Sequence, residues 1–270
     1  MAQQRYDGEL MRRTAENYER YFVPRIGAPV AADLVEAASL RPGERVLDTA
    51  CGTGVVAKLA AERMVQGGAV VAVDRNAAML AVARATTRAD LSIDWHEALA
   101  EELPFQDESF DVVLCGMGLQ FFSDREAGVR EFQRVLVPGG RLAANVPGPV
   151  PPPFEVMADS LARHVGPESA SFVHAVFSLH DPDDLRNLAA QAGFEDVDVH
   201  SADVPLELPA PAEFLWQYVR STPLASAVAQ VDEQRRAALE NEFSERCRAF
   251  APAGTLAGRV NVATLLATKS

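Results

Sequence analysis

The sequence has little cysteine, few cationic residues and no long apolar run. Cys51, Cys115 and Cys247 are the only cysteines in 270 residues. They lie far apart, form no C-x-x-C pair and join no His/Cys cluster. No metal site is expected, and a reduced, cytoplasmic setting is. Lys and Arg number 25 against 38 Asp and Glu, a formal charge of −13. Phosphate backbones and anionic membrane surfaces need clustered cations, so neither nucleic acid nor membrane is an expected partner, and solubility accounts for the charge. No apolar stretch approaches the roughly 20 residues that cross a bilayer, and the N-terminal Met-Ala-Gln-Gln-Arg-Tyr-Asp lacks a signal-peptide pattern. Internal repeats are absent as well. What remains is an aliphatic, moderately charged chain, 48% hydrophobic. It is long enough for one large domain or a core domain with an inserted lid.

The stretch Arg45-Val-Leu-Asp-Thr-Ala-Cys-Gly-Thr-Gly54 organises the rest. Val46 and Leu47 end a short buried strand; Asp48 follows, then a turn of small residues. The run Val55, Val56, Leu59, Ala60 has helical spacing. Gly52 and Gly54 allow a close backbone approach to a ligand and dihedrals that a Cβ disfavours. The helix start offers unpaired N–H groups and a partial positive charge. Strand, glycine turn and helix N-terminus thus make a cradle for a nucleotide cofactor.

Two cofactors fit it. Gly52, Gly54 and Ala57 satisfy the dinucleotide pattern G-x-G-x-x-G/A, with Asp74 twenty residues after Gly54 to hold a ribose. That reading makes the chain an NAD(P)-dependent oxidoreductase. The other cofactor is S-adenosylmethionine (SAM), which uses nearly the same cradle and the same acidic residue. Here Asp48 ends the first strand in the pattern D-x-A-C-G-T-G, which resembles motif I of class I SAM-dependent methyltransferases, (D/E)-x-G-x-G-x-G. Ala50 stands where the first glycine usually sits; a left-handed backbone there costs an alanine about 1 kcal/mol or more.

Further segments follow in the order of that family. Ala69-Val-Val-Ala-Val-Asp74 is a second buried strand, with Asp74 at the end where open α/β sheets bind ligands. Arg75 follows, and Met79 offers an apolar wall for adenine or a core contact. A third strand spans 91–97. Ala98-Leu-Ala-Glu-Glu-Leu-Pro-Phe105 and Asp107-Glu-Ser-Phe-Asp111 then resemble the family's G-D-A-E-x-L-P-F and D-x-S-F-D. The resemblance implies adenine contacts at Leu99 and Ala100, with Leu99 replacing the usual Asp. A fourth strand, 110–115, ends at Cys115 and delivers Met117, Gln120 and Phe121 to the rim. Ser123-x-x-Glu126 reads as a capping box, and Val137-Pro-Gly-Gly140 as the stop before a fifth strand from Arg141 to Asn145. R-V-L-x-P-G-G-R-L is the third match.

The chain is thereby identified as similar to the methyltransferase type 11, UbiE-like group over residues 40–146. The resemblance implies an α/β fold, a seven-stranded, mostly parallel, doubly wound sheet of order 3-2-1-4-5-7-6, with helical cap and lid insertions. The expected division is N-terminal cap helices at 1–39, the SAM-binding core at 40–148, a lid at 149–180 and more core at 181–207. A second cap segment at 208–250 and the last, antiparallel strand at 251–270 complete it.

The implied cofactor-binding residues are Asp48, Ala50, Gly52, Thr53, Gly54, Asp74, Arg75, Met79, Leu99, Ala100 and Cys115. Met117, Gln120, Phe121 and Asn145, with the lid aromatics Phe172, Phe177, Trp216 and Tyr218, would line a pocket for a small, rather apolar acceptor. Methyl transfer from a sulfonium is an in-line displacement driven mainly by positioning, and a base helps only where the acceptor starts protonated. His174, in the expected lid, is the candidate base. His96 and His164 have the same chemistry and packing roles serve all three, so the sequence does not choose. No N-P-P-[Y/F/W] signature follows strand four, which leaves O- or C-methylation ahead of amide or base N-methylation. A SAM-binding protein without turnover is the third reading, kept open by Leu99. The expected assembly is a monomer or homodimer.

Overall fold

The computed structural model describes residues 2–64 and 67–270, and the side chains of all of these except residues 2–7 and 257. Met1, the first residue of the expected cap, lies outside the described residues. Seven strands form one sheet: β1 (Arg45–Thr49), β2 (Ala69–Asp74), β3 (Ile93–Glu97), β4 (Phe110–Gly116), β5 (Leu136–Pro147), β6 (Phe194–Glu207) and β7 (Ala257–Lys269). Their order is β3-β2-β1-β4-β5-β7-β6, as the resemblance implies. β1 to β5 pair in parallel, and β7 runs antiparallel to β5, with Asn145 opposite Thr264.

The helices, in chain order, are α1 (Ala2–Asn17), α2 (Ala28–Ala37), α3 (Val55–Arg63), α4 (Ala77–Thr86), α5 (Arg125–Val135) and α6 (Pro152–His164). They continue with α7 (Pro167–Val176), α8 (Pro182–Gln191), α9 (Pro211–Arg220), α10 (Leu224–Ala229) and α11 (Glu233–Arg246). A π-type run, Tyr18–Gly27, joins α1 to α2 and contains Pro24. Proline has no N–H to continue the ordinary ladder, which suits the wider turn. The regular helix α2 starts only at Ala28, past this turn. Among the described residues, no helix is long and apolar enough to cross a membrane.

The chain forms two compact units. The sheet unit comprises Ala28–Gly148, Leu179–Ala202 and Asn261–Ser270. Alternate residues of its strands feed two cores. Val46, Val70, Ala72, Val112 and Leu114 pack with α2, α3 and Leu80 of α4. Leu47, Val73, Val113 and Cys115 pack with Val129 and Phe132 of α5 and Leu185 and Ala189 of α8. Apolar residues on both faces of a strand are what a sheet covered on both sides requires.

The cap unit comprises Met1–Gly27, Pro149–Ser178 and Asp203–Val260. Phe154 of α6 is at its centre, with the rings of Phe177, Phe214 and Tyr218 at 5.2, 5.6 and 5.3 Å. Phe177 and Tyr218, expected to line an acceptor pocket, are 3% and 4% exposed in this cluster. Their bulk is better satisfied by ring-to-ring packing within the cap.

Two local expectations are corrected. The helix after strand four is capped by Asp124, whose side chain accepts the Ala127 N–H at 2.8 Å, and not by Ser123. The Ser123 N–H instead donates to Glu101 at 2.9 Å, so the capping register moves on by one residue. Strand five begins at Leu136 and runs through the Pro-Gly-Gly element; Gly139, at φ +76°, takes the strand through that bend.

Candidate functional site

β1 and β4 are neighbours at the point where the strand order reverses, the place where doubly wound sheets form a ligand crevice at their carboxyl edge. Asp48 is level with Ala72 of β2 and Leu114 of β4. The chain then leaves the sheet through a turn with three left-handed residues: Ala50 at φ +51°, Gly52 at +57° and Gly54 at +85°. Ala50 thus carries a left-handed backbone that is costly for a residue with a β-carbon. Its methyl group is accommodated by Gly118 on the facing loop, where a β-carbon would stand 2.7 Å from that of Ala50.

Asp48 is fully buried and caps α3 from within: one oxygen accepts the Ala57 N–H at 2.9 Å. The other, Oδ1, has no partner. Burial pushes the Asp48 carboxyl well above the usual carboxylate range, and the charge of Asp74 adds to the shift. Asp74 accepts two backbone N–H groups, from Gly52 at 2.7 Å and Asn76 at 2.8 Å. Its pKa is also raised, by burial against the opposing hydrogen bonds. Asp74 therefore fixes the glycine turn and β2 relative to each other. Asn76, and not Asp74, caps α4, accepting from Ala78 and Met79. Thr53 is buried in the same turn, with its hydroxyl oxygen unpartnered.

The remaining expected residues spread along the same edge. Arg75 is exposed and Met79 half-buried. Leu99 is 42% exposed, an unusual position for a leucine, while Ala100 is buried beside it. Cys115 is buried in the sheet core, and burial pushes its thiol up to about 12. Met117 takes a left-handed backbone, φ +54°. Its N–H donates to both the main-chain and side-chain oxygens of Asn145, at 3.0 and 3.1 Å. Asn145 is buried and its Nδ2 donates to Val30 of α2 at 3.2 Å, so it locks the 116–118 turn in place. Gln120 is buried, donating to the Met117 carbonyl at 2.8 Å, with its own Oε1 unpartnered. Phe121 is 48% exposed at the rim.

The histidines divide. His96, on β3, pairs with Asp94 at 2.9 Å and sits edge-on to Phe105. His164 pairs with Glu242 at 2.8 Å. His174, the candidate base, is half-exposed on α7 in the cap unit and stands 3.5 Å from Glu155.

Two residues of this edge were not singled out from sequence. The six-membered ring of Trp95 of β3 lies against Gly54, filling the space a β-carbon would need. Arg134 of α5 holds the L-P-F element by its carbonyls, donating to Leu103 at 3.1 Å and Phe105 at 2.8 Å, and pairs with Asp107 and Glu131. The Arg in R-V-L-x-P-G-G was the available signal, read only as part of a motif.

An edge with buried, incompletely satisfied acceptors at Asp48, Thr53 and Gln120 suits a ligand that brings hydrogen-bond donors and positive charge. SAM, with its ammonium, ribose hydroxyls and sulfonium, has that character. Pyrophosphate is anionic and would meet two buried carboxylates. The comparisons agree. Residues 47–144 match the Methyltransf_11 family, a methyltransferase domain. The ubiquinone/menaquinone biosynthesis C-methyltransferase UbiE of Stenotrophomonas maltophilia is 38% identical over 177 residues, 60% of this chain and 70% of that protein. The enzyme of the same name from Escherichia coli is 31% identical over 182 residues, 62% of this chain and 72% of that one. Among solved structures, the YcgJ protein of Bacillus subtilis shares the fold, with a TM-score of 0.60 at 19% identity over 89% of this chain and 97% of that chain. Haemonchus contortus phosphoethanolamine N-methyltransferase 2, crystallised with SAM, does so at 0.55 and 19%, over 88% of this chain and 52% of that chain. Sheet order, cradle and relatives converge, and the chain belongs to the class I SAM-dependent methyltransferases, in the UbiE-like, type 11 group.

Proposed function

We propose that this enzyme methylates a carbon atom of a small, largely apolar aromatic acceptor. The observation that carries the reading is the 38% identity to an enzyme named for C-methylation in quinone biosynthesis, over 60% of this chain. The exposed apolar Phe121, on the loop after central strand β4, supports an acceptor of the same character.

SAM, when bound, supplies a methyl group made electrophilic by its sulfonium. The chain's own residues bind and orient. Asp74 keeps acceptor capacity for ribose hydroxyls, since each carboxylate oxygen has two lone pairs and each takes one N–H here. Asp48 and Thr53 are the acceptors nearest in sequence to the glycine turn, fitted to an ammonium. Gly52 and Gly54 shape the turn, Ala50 packs it against Gly118, and Cys115 forms the floor beneath. Met79, Leu99 and Ala100 give adenine an apolar surround, and Arg75 stands exposed beside the seat. Met117 and Phe121 face the acceptor, while Gln120 and Asn145 hold their loop. Attack by a ring carbon of a phenolate breaks the sulfonium C–S bond and releases S-adenosylhomocysteine, and the ring proton then passes to water as aromaticity is restored; no side chain of this edge is assigned to take it.

The test is to incubate the protein with methyl-labelled SAM and a panel of phenols and hydroquinones, and to locate the label by mass spectrometry. Label on a ring carbon is the expected result. Label confined to oxygen or nitrogen overturns the proposal.

A further inference from the structure

The cap unit contains a cavity that this reading does not use. It is a cleft of about 710 Å³, open to solvent, and its walls come from α1, α9, α10 and α11. That size lies within the roughly 300–1,000 Å³ of small-molecule sites. Apolar side chains, including Leu10, Val219 and Val228, form much of the lining.

Three guanidiniums from three helices also line it: Arg13, Arg220 and Arg236. Arg13 is paired with Glu9 along α1, which leaves Arg220 and Arg236 as the cations the cleft offers a ligand. Two carboxylates, Glu233 and Glu240, share the lining. Glu240 accepts the indole N–H of Trp216, and Glu233 is only a loose, exposed neighbour of Arg236 at 3.9 Å. The Arg220 guanidinium lies over the Trp216 ring, 6.0 Å from its centroid, which puts a cation and an aromatic ring side by side in the lining. Arg236 donates to the Ala229 carbonyl at 3.1 Å and retains a buried Nε–H with no partner. Its donors are incompletely used. The Asn17 side chain donates to the Arg220 carbonyl at 3.2 Å and so ties α1 to α9 across the cavity.

We propose that this cleft is a second binding site, for an amphipathic organic anion: an apolar or aromatic body carrying one anionic head. The apolar lining and Trp216 take the body, and Arg220 and Arg236 take the head. Guanidinium forks match carboxylate-like and sulfonate-like oxygens in geometry and charge.

The test uses the full-length protein and two fluorescent probes of one shape, anionic 1-anilinonaphthalene-8-sulfonate and neutral N-phenyl-1-naphthylamine. The anion should bind a single class of site, tighter than its neutral analogue. Arg220→Met and Arg236→Met should each weaken the anion about tenfold, the loss expected for one charge-assisted hydrogen bond. Both variants should still bind the neutral probe, which also shows that the cap is folded. Ala237→Trp, which fills the cleft, should abolish both. Saturating S-adenosylhomocysteine (SAH) should change nothing. Equal affinity for the two probes, indifference of the anion to both Arg substitutions, or displacement by SAH overturns the proposal.

Discussion

Trp95 and Gly54 occupy each other's space: a β-carbon on Gly54 would meet the ring of Trp95 at 2.3 Å. The glycine that ends the cofactor turn is thus required twice, by its left-handed backbone at φ +85° and by the indole of β3 packed against it. Gly54→Ala should destabilise the protein by about 2–4 kcal/mol, from the left-handed backbone and the overpacking together. Adding Trp95→Ala should recover the packing share and leave the backbone share. Urea unfolding of the two single variants and the double variant measures both; equal losses in Gly54→Ala with and without Trp95 would show that the ring is no obstacle.

The buried Asp48 carboxyl predicts a pH dependence. Its pKa is raised in the folded state, so the native protein holds that proton more tightly than the unfolded chain does. Its contribution favours folding most at pH below the ordinary carboxylate value of 3.8, and is lost as pH rises through the elevated folded pKa. Asp48→Asn cannot ionise, so its stability relative to the natural protein should improve steadily as pH rises across that interval and then level off. Denaturation midpoints of both proteins from acid to mildly alkaline pH check this. A constant difference at every pH would mean that Asp48 titrates normally.

Leu99 is an exposed apolar side chain where the family pattern has an aspartate. Substitution by Asp should cost little stability there and should supply an acceptor for the adenine amino group. Leu99→Asp is expected to tighten SAH binding by about 0.5–1.5 kcal/mol, the net worth of one hydrogen bond. It should also lower the relative affinity for the inosine analogue, which carries an oxygen in place of that amino group. If the ratio of the two affinities does not move, Leu99 is remote from the base.

Arg134 secures the loop between β3 and β4 through two carbonyls and two carboxylates. Its hydrogen bond to Glu131, above all, keeps that carboxyl below its usual range. Arg134→Met should lower stability by about 1.5–3 kcal/mol, as loss of hydrogen bonds to a charged group does. Hydrogen exchange should accelerate at the Leu103 amide, which donates to Glu131 at 2.7 Å. Unchanged protection there would assign the loop's order to packing alone.

Much of the sheet unit was legible in sequence because its signals are local. Buried strands carrying Asp48 next to last and Asp74 last, the glycine turn and the Pro-Gly-Gly element each fall within ten residues of chain. What sequence could not show were partners distant along the chain. Trp95 against Gly54, Gly118 beneath Ala50, and Asn145 reaching Val30 are 41, 68 and 115 residues apart in sequence. The capping box failed for a narrower reason: Ser123 and Asp124 are both good caps, and the Glu101 side chain, claiming the Ser123 N–H, goes with the later one. In the cap, aromatic side chains that could serve a pocket or a core have the same pattern in sequence. Their burial around Phe154 distinguishes the two for Phe177 and Tyr218.

The most direct measurement is a calorimetric titration of the natural protein and Asp74→Ala with SAH and with NAD. One SAH site is expected in the natural protein, weakened by about 1.5–3 kcal/mol in the variant, with no heat of binding for NAD. Binding of NAD, or SAH affinity untouched by the loss of Asp74, would contradict it.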